Sequence, residues 1–197
     1  MNAEYILVGY GGQGRVVRAA LQALGHQVVG YLDKVQKANT NLTYHGAPLP
    51  PPGDAIYGPH QFAVCIGDNQ TRKQLFEDLD AAHAIQAPII HPQAFVDPSA
   101  QIEYGTYIGP KAVVHAHAKV GRGCIVNSGA IVEHDCVLED FVHIAPGAVL
   151  CGAVVVGEGT LVGANATVLP QLRIGTWARV GAGTVLKLSL EDSSTHA

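Results

Sequence analysis

From Ile90 to Leu186, every sixth residue is Ile, Val or Leu, 17 positions in succession without an insertion. They run Ile90, Val96, Ile102, Ile108, Val114, Val120, Val126, Val132 and Leu138, then Ile144, Leu150, Val156, Val162, Val168, Ile174, Val180 and Leu186. A second series follows each member by four residues and opens Ala94, Ala100, Thr106, Ala112, Ala118, Cys124, Ala130 and Cys136; 13 of its 17 positions are Ala, Thr or Cys. Self-similarity at a fixed period is the mark of a solenoid. A short strand and a turn occupy six residues, and three such units close a triangular coil of 18. One aliphatic side chain per unit points into the prism and stacks on its equivalent in the next coil. The second inward position lies at a corner, where only a small side chain fits. Successive coils pair as parallel strands about 4.8 Å apart. Gly105, Gly123, Gly129, Gly147 and Asn165 stand in the turns, where positive φ is expected.

The first half has a different rhythm. Tyr5–Gly9 reads as a buried strand, followed by a glycine loop and a helical face at Val16, Val17, Ala20, Leu21 and Leu24 that Gly25 stops. Gln27–Leu32 reads as a second strand, Lys34–Pro59 as loop with one short strand, Phe62–Gly67 as a third strand and Asn69–Ala82 as an amphipathic helix. The expected organisation is a Rossmann-like βαβ α/β domain over residues 1–86, then an all-β parallel β-helix over 87–197, joined near Ala87-Pro88.

The high glycine content (23 residues) and low aromatic fraction (6%) suit tightly wound β structure. A net charge of -4 argues against nucleic acid as the main partner, because phosphate backbones demand a basic face. The N-terminus has no basic n-region, and the apolar stretch Phe141–Gly157 fits the six-residue repeat rather than a membrane span, so a cytoplasmic protein without membrane contact is expected. Cys65, Cys124, Cys136 and Cys151 have no C-x-x-C spacing, so no metal site is expected from them, and Cys124 and Cys136 fall at interior positions.

Gly9, Gly11 and Gly14 form G-x-G-x-x-G between a strand and a helix, with Asp33 at the end of the next strand. There the motif brings backbone N–H groups to a phosphate at a helix N-terminus, and the acid takes a ribose hydroxyl. The alternative is a glycine-rich turn that only packs helix on strand. The domain is short for a dinucleotide fold, so a single nucleotide diphosphate suits it better.

His91, His115, His117, His134 and His143 fall in or beside the solenoid. His134 is followed by Asp135, and a carboxylate beside a neutral imidazole makes a general base; a solvated turn histidine is the bland alternative. Ala116 and Gly152 lie 18 residues before and after His134, leaving room above and below the ring, and the Gly152 N–H is a candidate oxyanion donor. His143 lies half a coil from His134, so the two meet only across a subunit boundary, as in a cyclic trimer. The pair His115-Ala-His117 leaves open a metal-binding β-helix, which does not explain the glycine loop.

Several segments together carry a family likeness: Gly9-Tyr-Gly-Gly-Gln-Gly-Arg15, Tyr31-Leu-Asp33, Ile66-Gly-Asp-Asn69 with Arg72, Ile90-His-Pro92, Asn127-Ser-Gly-Ala-Ile-Val-Glu-His134-Asp135-Cys and Phe141-Val-His143-Ile-Ala-Pro-Gly147. With the repeat, the chain resembles the hexapeptide-repeat acyltransferases, specifically the sialic acid O-acetyltransferase and UDP-4-amino-sugar N-acetyltransferase family. The resemblance implies left-handed coiling and a homotrimer that uses acetyl-CoA in active sites between subunits. His134 would be the base, Asp135 the acid that increases its basicity and Gly152 the oxyanion donor. His143, Gly152, Ala164 and Ala182 would line the acetyl-CoA groove; Gly11, Gly12, Gln13, Asp33, Lys34 and Gly67 would surround the nucleotide-linked sugar. Gln13 stands where the family's loop commonly has His, Lys34 where a second acid often follows, and the Gly-x-Pro-Ala-Lys ending is missing, implying a more open CoA groove at that end. The expected reaction is direct N-acetylation of a nucleotide-linked 4-amino-deoxysugar. Sugar O-acetylation and a non-enzymatic nucleotide-sugar-binding trimer are the alternatives.

Overall fold

The computed structural model describes residues 3–46, 54, 56, 58, 60–80 and 87–196. Strand β1 (Glu4–Val8), helix α1 (Gly12–Ala23), β2 (Gln27–Leu32), β3 (Thr43–Tyr44), β4 (Gln61–Val64) and α2 (Asn69–Asp80) form the first layer of the chain. The four strands make one parallel sheet in the order β3-β2-β1-β4. The β1 side chains Ile6 and Leu7 are fully buried, as a parallel strand covered on both faces demands. Gly25 (φ +82) ends α1 in a Schellman closure, with His26 N–H donating to Leu21 O and Gly25 N–H to Gln22 O. Residues 81–82 of the expected second helix and the expected boundary at residue 86 lie outside the described residues.

From Ile89 the chain winds into three parallel faces of seven, six and five strands, with strands paired 18 residues apart, as in Ile125↔His143 and Ile131↔Val149, until the last pair, where Arg179 meets Thr195. This is the left-handed parallel β-helix. Every inward aliphatic from Ile108 to Leu186 is at most 2% exposed. The corner series is buried through the middle coils, where Ala112, Ala118, Ala130, Cys136, Ala148 and Ala166 are at 0%, and partly buried toward the ends, at Ala94, Ala100, Leu172, Thr184 and Leu190. The two buried corner threonines close their hydrogen bonds between coils: Thr106 Oγ1 donates to Gly121 O (2.7 Å) and accepts from Cys124 N–H (3.1 Å), and Thr160 does the same with Gly175 and Ala178.

Helix α2 joins the two parts. Phe76 meets Phe141 edge-on at 5.3 Å, Asn69 Nδ2 donates to Gly159 O, and Lys73 pairs with Glu158. Tyr107 and Ile125, on the outer side of the seven-stranded face, are buried in the core of the first layer. No helix among the described residues is long and apolar enough to cross a membrane.

Candidate active site

His134 and Asp135 occupy the turn after the strand Ile131–Val132, at the corner between the six- and five-stranded faces. Asp135 takes the left-handed φ of +61°, and His134 Nδ1 lies 2.8 Å from Asp135 Oδ2. A carboxylate only accepts, so the ring donates from Nδ1 and its Nε2 lone pair faces outward. Both side chains are more than half exposed, at 61% and 57%. One coil above, a Cβ on Gly152 would stand 2.6 Å from His134 Cε1 and Nε2. The Gly152 carbonyl accepts from Gln171 N–H, while its own N–H meets no acceptor among the described residues. The His134 ring thus packs on a glycine whose N–H is unused among the described residues.

His143 is placed differently. It lies on the seven-stranded face beneath the α2 entry loop, and its Nε2 is 3.2 Å from Asn127 Nδ2. Burial first, and the Arg72 charge second, push its pKa down to about 4 against a hydrogen bond to the Gly67 backbone. Burial and the nearby Arg72 charge thus favour the neutral form of the ring. Ala164 and Ala182 follow in the turns above, one coil apart between the seven- and six-stranded faces.

At the other end, α1 begins at Gly11 with no side-chain cap and no acid in its first turn, leaving the first N–H groups without partners in the helix. A Cβ on Gly11 or Gly12 would meet nothing within 4 Å, whereas one on Gly14 would collide with Gly9 O. Gly14 is demanded by helix-on-strand packing; the space at Gly11 and Gly12 is left for something else. Gln13 Nε2 is buried and has no partner among the described residues. Asp33 Oδ2 accepts from Tyr10 N–H (2.9 Å), and Oδ1 from Val35 N–H and Lys37 Nζ. Burial raises the Asp33 pKa, but these hydrogen bonds outweigh it and hold the carboxyl below its ordinary value. The carboxylate therefore ties down the glycine loop through Tyr10 N–H. Lys34 is exposed, and Gly67 offers its carbonyl to Arg72 Nη1.

Between α1 and the solenoid runs a groove of about 610 Å³, lined by Gly12, Arg15, His91, Tyr107, Pro110 and Ser128 among others. Sites for small molecules span roughly 300–1,000 Å³. The groove starts at Gly12, at the uncapped N-terminus of α1, and reaches Ser128 on the solenoid.

Sequence reasoning placed Asn127 and Arg72 only within motifs and assigned neither a role. The signal for Arg72 was present: it shares the buried stripe of α2 with Phe76 and Leu79, and a charge on that stripe calls for partners across an interface. His115 and His117 do not share a strand; His115 follows β-strand Val113–Val114 and leans on Phe95, while His117 sits in a left-handed turn. Among the described residues no group of three metal-ligating side chains gathers.

Residues 4–79 match the family described as PglD N-terminal domain, and residues 153–187 match the bacterial transferase hexapeptide repeats. The chain is 32% identical to a variant of perosamine N-acetyltransferase from Caulobacter crescentus solved with CoA and GDP-perosamine, covering 98% of this chain and 92% of that one at a TM-score of 0.93. It is 34% identical to the acetyltransferase domain of PglB from Neisseria gonorrhoeae FA1090 in complex with acetyl coenzyme A, covering 99% and 96% at a TM-score of 0.90. WeeI from Acinetobacter baumannii AYE shares the fold at 23% identity and a TM-score of 0.80.

Proposed function

The chain belongs to the hexapeptide-repeat sugar N-acetyltransferases and transfers an acetyl group from acetyl-CoA to the amine of a nucleotide-linked 4-amino sugar; we propose that His134 is its general base, Asp135 the acid that holds the ring in register and Gly152 the oxyanion donor. The observation that supports this reading is the packing of the His134 ring on Gly152, where a Cβ would stand 2.6 Å from Nε2, beside a Gly152 N–H that meets no acceptor among the described residues. The sugar amine attacks the thioester carbonyl and gives its proton to Nε2. The oxyanion collects on the Gly152 N–H, and collapse breaks the C–S bond to release the CoA thiolate. Proton transfer by a positioned side chain contributes about 10²–10⁴-fold, and one oxyanion donor about 10²–10³-fold.

On the same reading, Gly11, Gly12, Gln13, Asp33, Lys34 and Gly67 surround the nucleotide-sugar, with the diphosphate on the uncapped start of α1. His143, Gly152, Ala164 and Ala182 line the acetyl-CoA groove. His134 and His143 stand on different sides of one prism, so a working site draws on two subunits. The outer side of the six-stranded face supports a homotrimer: Phe95, Val113, Ile131, Val149 and Val185 form an apolar stripe along it, interrupted by Thr167, with Phe95 51% and Val185 50% exposed.

The test is CoA release from acetyl-CoA with UDP-, GDP- and dTDP-linked 4-amino sugars, for wild type and His134→Ala, alongside the mass in solution. Turnover with an amino-sugar that is lost in the variant is expected. Full turnover in the variant removes His134 as base, and a monomeric active enzyme removes the intersubunit site.

A further inference from the structure

Arg72 is 2% exposed and carries its charge into the interface between α2 and the solenoid. Its guanidinium spends its donors on backbone carbonyls: Nε on Gly123 O (2.8 Å), Nη2 on Phe141 O (2.7 Å), and Nη1 on Ile66 O (3.1 Å) and Gly67 O (3.2 Å). Two of these carbonyls lie in solenoid turns and two in the loop that enters α2. One planar fork therefore fixes the spacing between the Gly67 loop and the turn that leads into His143.

The same loop touches the His143 ring, and the backbone decides that ring's tautomer. Ser128 N–H donates to Asn127 Oδ1 at 2.8 Å, which fixes the orientation of the amide. Asn127 Nδ2 must then face His143 Nε2 as a donor, so Nε2 is the accepting nitrogen and the proton sits on Nδ1. With Nε2 taken by Asn127, the Nδ1–H is left for the Gly67 backbone, the same residue that Arg72 grips and one that acts on the ring. Arg72, itself influenced by Asp68 and Cys124, is also the charged group that acts on the ring.

We propose that Arg72 is a positioning residue for acetyl transfer, clamping the Gly67 loop so that His143 is held as a neutral Nδ1–H imidazole with Nε2 bound to Asn127. This rests on the acetyltransferase reading for its consequence in catalysis, and on the hydrogen-bond pattern alone for the tautomer. A ring free to flip would carry a proton or a misdirected N–H into the cleft where an amine must arrive unprotonated.

The experiment is ¹⁵N-histidine NMR of the resting protein, with the His143 signals assigned by their loss in His143→Gln, followed by the same spectra and steady-state kinetics of Arg72→Met. The wild-type ring is expected as the neutral Nδ1–H form at about pH 6. In Arg72→Met the tautomers are expected to mix, and kcat to fall on the order of 10²-fold with little change in either KM, as for a misplacement of reacting groups. If Arg72→Met does not fold, Arg72→Lys replaces it with the same expectation, since an ammonium cannot span the Gly67 and Phe141 carbonyls together. An Nε2–H ring in the wild type, or an unchanged ring in a folded Arg72 variant, overturns the proposal. The spectra need no substrate, so a failure of the acetyltransferase reading shows in turnover alone and a failure of the clamp shows in the tautomer.

Discussion

The His134 ring lies directly against Gly152, close enough that a single methyl group on the glycine would stand 2.6 Å from Cε1 and Nε2. Gly152→Ala is therefore expected to swing the ring off its Asp135 partner without unfolding a chain whose core lies elsewhere. The loss in kcat should be on the order of 10²-fold, as for a misplacement of about an ångström. Circular dichroism and sedimentation should match wild type; unchanged kcat would remove the contact from the mechanism.

His134→Ala removes an exposed side chain and should leave thermal stability within about 0.5 kcal/mol of wild type, the range of surface substitutions away from special features. Activity should drop by about 10²–10⁴-fold. Asp135→Asn should cost less than His134→Ala, because the ring remains while its carboxylate partner is lost. The comparison of the two kcat/KM values checks the order.

Gly12 and Gly14 stand two residues apart in the first turn of α1 and should behave in opposite ways. Gly14→Ala drives a methyl group into Gly9 O and should destabilise by about 1–3 kcal/mol, the usual cost of overpacking. Gly12→Ala meets open space, so stability should hold while KM for the nucleotide-sugar rises and KM for acetyl-CoA does not. Urea melts and the two KM values together test this.

His143 contributes an acid-sensitive arm to stability. In the unfolded chain its imidazole takes a proton as pH falls through the ordinary 6.5, whereas in the folded protein it does not until about 4. The unfolded state thus binds more protons across that window, and stability falls as pH drops from 6.5 to 4 and then levels off. The loss attributable to this ring is on the order of 3 kcal/mol. His143→Gln should lack that arm, which urea melts at stepped pH would reveal.

Thr106→Val keeps the volume of a corner residue but strands the Gly121 carbonyl and the Cys124 N–H that its hydroxyl serves. Each buried group left unpaired costs about 1–3 kcal/mol. Thermal or chemical melts should show a loss of that size with no change in KM, because the site lies on other coils.

The turns mark where sequence reading ran short. Gly105, Gly123, Gly129, Gly147 and Asn165 were legible as positive-φ positions and are so, at +55° to +69°. Yet the same conformation recurs every six residues from 105 to 183 and includes Lys111, His117, Asp135, Phe141, Ala153, Gln171 and Trp177. No local preference foretells Phe or Trp there. The corner of a closed coil imposes it, since the strands above and below leave the turn one path. Asp135 owes its aim at His134 to that imposed geometry.

By itself, the sequence determined the solenoid, its inward residues and the identity of the His134-Asp135 pair. A six-residue period in side-chain size can be satisfied only by a coil that stacks like on like. The glycine loop was legible for the same reason, as a local backbone requirement written in residue type. The tertiary structure alone decided that Asp33 spends its carboxylate on Tyr10, Val35 and Lys37. It alone decided that His143 is neutral and that Arg72 reaches into solenoid turns more than 50 residues away, as its bond to Gly123 at a separation of 51 attests. Charge states and buried hydrogen bonds depend on which distant backbone groups are brought together and cut off from water, and no spacing along one chain carries that information.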